Sequence, residues 1–283
     1  MAINLVTKFS PLVDEKFTAE SKTSLVTNKD YDFIGTHSIK IYSVGVAPMN
    51  DYGRNTTLGT GESEVLSRYG VIKDLATTVQ EVSMEKDRSF TFVIDKEDED
   101  ETLGALNAGS ALARQLREVV IPEVDKYTYA KMSANAGKSI TETITNTTAY
   151  TSINAGTELF DEKMVPMEGR VVTCTPVFYT MLKQDKNAVL ETETGQNMRI
   201  KGVVSNMDGV TIQKVPSSLL PENTNFILSH KIATTQAIKL AEYKINNDPQ
   251  GISGALVEGR IYYTAFVRDN KKDAIYVSVH AAA

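Results

Sequence analysis

The sequence predicts an α+β fold on three observations. Residues 89–95 alternate Phe90, Phe92 and Ile94 against Ser89, Thr91 and Asp95, the period-2 pattern of a half-buried strand. From Thr102 the period lengthens to about 3.6, with Leu103, Leu106, Leu112, Leu116, Val119, Val120, Val124 and Tyr127 near one face. That stripe predicts one long helix ending near residues 131–134. Beyond it the chain returns to short alternating runs divided by turn residues, so a few shorter helices are expected among largely antiparallel hairpins.

The elements are expected in the following order. Residues 1–36 are polar, with isolated apolar positions such as Leu5, Phe9, Leu12, Phe17 and Leu25 and no sustained period. A segment of that kind is expected not to bury itself and to form an N-terminal arm. Residues 37–95 are expected to form an extended hairpin with its flanking strands. Ile39 and Ile41 share one face of the first strand, with a change of face near Ser43 and Val44. Residues 50–64, rich in Gly, Asn and Thr, form the tip, and residues 69–85 and 88–95 return as strands.

Residues 96–149 are expected to hold the long helix and a crossing. Lys96 to Glu101 are all charged. Carboxylates just ahead of a helix interact favourably with its unpaired amides and positive dipole end, which accounts for the run locally. A calcium loop needs a turn-forming glycine among its oxygen ligands, and none interrupts residues 95–101. Pro122 removes one backbone hydrogen bond and crowds the carbonyl of Glu118, so a kink is expected there. Residues 135–148, dominated by Ser, Thr, Asn and Gly, read as a loop or irregular crossing.

Residues 150–234 are expected to form a second lobe. Ile153, Leu159 and Phe160 suggest a helix over 150–163. Residues 170–173 read as a short buried strand, followed by Thr175 as N-cap and Pro176 at the first position of a helix reaching about Lys183. Asp208-Gly209 marks a tight turn between Val203-Val204 and Val210-Thr211-Ile212. Residues 230–245 fit either a helical stripe (Ile232, Gln236, Leu240, Tyr243) or an alternation (Ile238, Leu240, Glu242). Residues 235–283 then supply C-terminal strands, with a loop at 248–254 and strands at 256–268 and 274–279 joined at 269–272.

No catalytic, cofactor-binding or metal-ligating residue is predicted. There is no Gly-x-Ser-x-Gly elbow, and three separated histidines, His37, His230 and His280, give no zinc spacing with the single Cys174. Cys174 ends an apolar strand and reads as a small buried hydrophobe; His230 reads as a capping or packing residue. Gly104, Ala105, Ala108, Gly109, Ala111 and Ala113 suggest close helix-to-sheet packing and lack nucleotide-loop spacing. A formal net charge of −6 argues against a protein that wraps nucleic acid on a basic surface. One cysteine excludes an intrachain disulfide and suits a reducing compartment. Neither a secretory signal nor a run near the ~18 apolar residues of a membrane span is expected.

Three segments carry a family resemblance. Residues 73–129, with Asp87-Arg88-Ser89-Phe90-Thr91-Phe92 before the acidic run and Arg117-Glu118-Val119-Val120-Ile121-Pro122-Glu123-Val124-Asp125-Lys126-Tyr127 after it, resemble the extended loop and spine helix of tailed-bacteriophage major capsid proteins. Residues 169–179 resemble that family's strand followed by a helix opening on Thr-Pro, and residues 257–271 its C-terminal strand pair. The resemblance covers about residues 39–279 in the family's order.

That resemblance implies a structural role and no chemistry. It names the expected parts as an N-terminal arm (1–36) lying across a neighbour, an extended hairpin (37–95), a peripheral lobe on the spine helix (96–149), an axial lobe (150–234) and C-terminal strands returning to the peripheral lobe (235–283). It also favours a short helix over 230–234. Implied partners are further copies of the chain in hexamers and pentamers, a portal, and packaged double-stranded DNA touched non-specifically. With no leading helical segment in this sequence, a separate scaffolding protein or a previously trimmed form is also implied. The expected location is the virion, assembled in the host bacterial cytoplasm. Some capsid families cross-link Lys to Asn between subunits, and nothing here singles out a pair. An encapsulin-like nanocompartment shell shares the fold and is the alternative. An acidic cytosolic enzyme is a further one; a sugar-binding module is weaker, since there is no tryptophan for stacking.

Overall fold

A computed structural model describes residues 21–31, 33, 36–54, 67–70, 74–102, 107–185, 205–247 and 249–281. Several expectations lie outside those residues: the arm over 1–20, most of the hairpin tip, the helical positions Leu103 and Leu106, Gly104 and Ala105, and Val203-Val204. The chain divides into a unit of residues 37–83 and a body formed by the remainder.

The smaller unit is a two-stranded antiparallel ribbon of β1 (Ser38–Val44) and β2 (Thr77–Ser83). Its register runs from Ser38 opposite Ser83 to Val44 opposite Thr77, and Gly45 N–H donates to the Ala76 carbonyl at 2.7 Å where the strands part. The second strand is shorter than the 69–85 expected: Tyr69 lies in a turn, with Gly70 at φ +98°.

The body contains two sheets. In the first, β3 (Lys86–Asp95), β10 (Gly254–Val267) and β9 (Thr234–Asn247) lie antiparallel in the order β3-β10-β9. The alternation of β3 is realised: Phe90, Phe92 and Ile94 pack with Ala255 and Val257. Gly259 sits opposite both Phe90 and Tyr243, whose rings stack 6.2 Å apart. A Cβ on Gly259 would come within 2.3 Å of the Phe90 ring, so the middle strand needs a bare backbone under this aromatic pair.

The acidic run does not merely precede a helix. It is itself the short helix α1 (Lys96–Glu101), because Asp95 caps it by accepting the Glu97 N–H at 2.9 Å and three of its carboxylates fall in the first turn. A second helix, α2 (Ala108–Gln115), starts anew with Asn107 as N-cap. It continues through a π-helical segment (Leu116–Val120) into α3 (Ile121–Ala134). The irregularity expected at Pro122 therefore takes the form of a widened turn, in which the Ile121 N–H reaches back five residues to the Leu116 carbonyl. Ala108 and Ala111 pack on the three-stranded sheet, whereas Gly109 is exposed and serves the cap, contrary to its expected packing role.

The second sheet has six strands in the order β4-β11-β8-β5-β7-β6: β4 (Lys138–Glu142), β11 (Ile275–His280), β8 (Thr224–His230), β5 (Arg170–Cys174), β7 (Val210–Lys214) and β6 (Ser205–Met207). One face is covered by α4 (Ala149–Glu162) and α5 (Pro176–Gln184), bringing Ile153, Phe160, Phe178 and Leu182 onto Val172, Phe226, Leu228 and Tyr276. Gly156 is what lets α4 approach, since a Cβ there would lie 2.9 Å from a Leu228 methyl. Thr175 and Pro176 open α5 as expected, with Thr175 Oγ1 accepting the Phe178 N–H. Asp208 and Gly209, both at positive φ, form the tight turn between β6 and β7. Tyr129 and Met132 of α3 cover the opposite face. Val120 and Val124 meanwhile pack on Ile261 and Tyr263 of β10, so the long helix serves both sheets.

Four further expectations are corrected. Residues 138–142 form β4, not part of a loop, because β11 offers a parallel backbone edge to pair with. Residues 231–233 form a turn, not a short helix; β8 runs to His230 and β9 starts at Thr234. The final strand, expected to be joined to the strand at 256–268, does not pair with β10 but inserts between β8 and β4, the latter within the segment 96–149. Residues 21–31 and 33, assigned to an arm that could not bury itself, are built into the body: Thr23, Val26, Thr27 and Phe33 are buried. There Asn28 makes a parallel bridge to Thr235, because polar partners on α3 and β9 satisfy its backbone.

Candidate assembly surfaces

Residues that sequence reasoning weighed for chemistry are not brought together. Cys174 is buried in the centre of the second sheet, and burial pushes its thiol up to about 12, which leaves it inert as a nucleophile. His230 and His280 end the antiparallel pair β8–β11 at opposite ends, while His37 belongs to the smaller unit. His230 is held as a neutral ring: Nδ1 accepts the Ile232 N–H at 3.2 Å, so Nε2 donates to the Glu168 carbonyl at 2.8 Å. Among the described residues no three His, Cys, Asp or Glu side chains gather as metal ligands, and no helix is long and apolar enough to cross a membrane.

What stands out instead is uncovered apolar surface. In the β1–β2 ribbon Tyr42 faces Val79 across the strands, and the two are 70% and 49% exposed. Val44 on the same face, and Val46 and Met49 beyond it, are exposed as well. A ribbon of two strands is marginal alone. This one presents its apolar pair to solvent, whereas the opposed pair Val172 and Leu228 of the second sheet is buried beneath α4 and α5.

Within the body, a cleft of about 760 Å³ runs between residues 21–31, the π turn with the start of α3, and the β9–β10 pair. Its wall includes Leu116, Val120, Ile121, Ile238 and Tyr243, with Asp125 as the acidic group among them. Asp125 is 2% exposed. Its Oδ1 accepts from Ser21 Oγ at 2.9 Å and Thr23 Oγ1 at 3.0 Å, and its Oδ2 from the Lys22 N–H at 3.2 Å. Burial raises its pKa above the usual carboxylate value, against the lowering effect of those hydrogen bonds. Sequence reasoning missed this residue. Its only signal was a carboxylate beside Val124 on the helical face expected to be apolar.

A second anchoring cluster lies at the start of β3. Glu85 accepts from Tyr127 Oη at 2.9 Å and from Lys131 Nζ at 2.8 Å, while the Lys86 and Lys131 ammonium groups flank the Tyr127 ring. Burial pushes the Glu85 carboxyl up, but the bonds from Lys131 and Tyr127 outweigh it and hold the group below its ordinary value. Within the body, the chain is thereby tied to α3 at the residue just before β3.

Comparison with known proteins agrees with this picture of a shell-building subunit. Residues 78–278 match the model of a family described as phage capsid protein. No curated protein matches the chain. Among solved structures, one from Mycobacterium phage Che8 superposes with a TM-score of 0.75 at 18% identity, over 98% of each chain. The capsid structure of the cyanophage P-SCSP1u gives 0.76 at 15% identity, over 99% of this chain and 94% of that one. A virus-like particle from Pyrococcus furiosus is similar at 0.53 and 9% identity, over 92% of each. With the family model spanning most of the sequence and the same fold along nearly its whole length, the chain belongs to the phage capsid protein family: it is a major capsid protein of the virion shell, a structural subunit and not an enzyme.

Proposed function

We propose that copies of this chain close into the head shell of a tailed phage around double-stranded DNA, through hexameric and pentameric capsomers. The observation that carries this is the exposed Tyr42–Val79 face on a ribbon too small to cover it. Many modest contacts of this kind, each made several times per subunit, give a closed shell a durability that no single pair has. The net charge of −6 supports non-specific contact with packaged DNA, since phosphates would not be held tightly. A separate scaffolding protein and a portal complete the reading, with assembly in the host cytoplasm.

Electron microscopy and light scattering of the purified protein, with and without co-expressed scaffold, test it. Closed shells protecting DNA from nuclease are the expected result. A species that stays at 31.1 kDa at every concentration would overturn it. Shells filled with an enzyme and free of DNA would point instead to a cellular compartment of the same fold.

A further inference from the structure

We propose that residues 21–28 form a releasable strap, latched onto α3 by the Asp125 carboxylate, and that its release opens the cleft beside the π turn. The strap is fastened in an unusual way. It contributes no strand to either sheet, only one bridge at Asn28, and its single 3₁₀ turn (Thr23–Leu25) has no side-chain cap of its own. Asp125 supplies the missing acceptor from a hundred residues away, taking donors from Ser21, Lys22 and Thr23 in succession. An anion placed against the free amides at the head of that turn is what a capping side chain would provide.

The remaining ties are weaker or lie further along. Gln213 Nε2 donates to the Lys22 carbonyl at 3.0 Å. Asn28 exchanges backbone bonds with Thr234 and Gln236 and accepts from Thr235 Oγ1 at 2.6 Å. Between these points only Thr23, Val26 and Thr27 are buried, whereas Ser24 and Leu25 face solvent. Opening at Asp125 therefore costs few apolar contacts and leaves the bonds around Asn28 as a pivot. It uncovers the seat of Val26, which packs in the cluster containing Tyr129 and Met132, and removes Ser21 and Thr23 from the cleft wall. A segment held by side-chain bonds to one buried group, and not by a ladder, belongs to the low-stability end of a fold.

Asp125→Asn tests the latch in the full chain, since it removes the charge and one amide oxygen cannot accept from both the Lys22 N–H and the Ser21 and Thr23 hydroxyls. Thr23→Val is the companion, keeping volume and losing a donor. Tryptic cleavage after Lys22 should accelerate at least about tenfold in Asp125→Asn, the order expected for losing a hydrogen bond to a charged group, while cleavage after Lys29, beyond the pivot, should change little. Hydrogen exchange at the Val26 and Thr27 amides should rise in both variants while the Asn28 amide, bonded to Thr234 at the pivot, and those of β5 and β8 stay protected, and binding of an apolar dye should increase. Unchanged cleavage and exchange at 21–28 in both variants would overturn the proposal. So would an equal loss of protection in β5 and β8, which would make Asp125 a requirement of the whole core and not a latch.

Discussion

The β1–β2 ribbon and the six-stranded sheet use the same cross-strand chemistry and end in opposite states. In the ribbon Tyr42 opposes Val79 and both are largely exposed; in the sheet Val172 opposes Leu228 and both are fully buried. Both pairs lie on antiparallel strands, where opposed side chains contribute a few tenths to about one kcal/mol each. The difference is the cover. Two helices and part of a third lie on the faces of the larger sheet, and residues 37–83 hold no helix among those described. On the function proposed above, the apolar surface that the ribbon leaves open is the surface that another copy covers in the shell.

That contrast is broken most forcefully from the covered side. Phe226→Ala removes a ring packed between Phe178 and Tyr276, at centroid distances of 4.8 and 5.9 Å. It should cost about 3–5 kcal/mol of folding stability, read as a lowered urea midpoint of the free subunit. Gly156→Val belongs to the same class, driving a side chain into Leu228 and Tyr276 for a loss of about 1–3 kcal/mol. If either variant unfolds with the wild-type midpoint, the six-stranded sheet is not the core on which the subunit depends.

The uncovered side should answer in the opposite way. Tyr42→Ser with Val79→Ser ought to change the subunit's own stability by no more than about 0.5 kcal/mol per site, as for exposed positions. Assembly, followed by light scattering, should nevertheless fall sharply. Normal shell formation by this double variant would remove the ribbon face from the contacts that build the shell. Hydrogen exchange sharpens the same point, because amides of β1 and β2 should gain protection on assembly while those of β5 and β8 change little.

Between these extremes lies Gly259, in the sheet that is covered on one face only. Gly259→Val pushes on the Phe90 ring, and the stack with Tyr243 has to open. A loss of about 1–3 kcal/mol is expected, smaller than at Phe226 because Phe90 and Tyr243 are only partly buried whereas Phe226 is fully buried. Restoration by Phe90→Ala in the same chain would confirm that the ring, and not strand propensity, sets the requirement.

How much of this was legible depended on whether a residue's partner was near in sequence. Phe90, Phe92 and Ile94 announced their strand because alternation is local, and Thr175-Pro176 announced a helix start because cap and first turn are adjacent. Residues 138–142 gave no such signal: Lys-Ser-Ile-Thr-Glu has one strong apolar residue, and its strand exists because β11 lies alongside. The segment 21–36 was misread for the same reason, since Thr23 and Asn28 look like surface residues until Asp125 and Thr235 are brought to them. The location of the uncovered apolar face was not readable either, because Ile39, Ile41, Tyr42 and Val44 carry no mark of which face its own chain would leave bare.

The smallest effect expected is a pH dependence confined to the covered sheet. His230 lies at the end of β8, where burial first, and then the positive charges of Arg170, Lys231 and Lys271, hold its pKa below the ordinary 6.5, against the raising effect of the bond to Glu168. The geometry explains why: a proton on Nδ1 would face the Ile232 N–H that this nitrogen now accepts. The folded subunit therefore keeps the ring neutral after the unfolded chain has begun to bind a proton. Stability that is fully present above about pH 6.5 should decline as the pH falls below it, because the unfolded state then holds more protons. The urea midpoint of the Tyr42→Ser, Val79→Ser subunit, measured from pH 8 to pH 5 so that shell formation does not intervene, should fall in that window. His230→Gln, which retains a donor for the Glu168 carbonyl but cannot titrate, should flatten the decline relative to its parent. Parallel curves for the two proteins would show that the neutral ring contributes nothing to the stability of the sheet it closes.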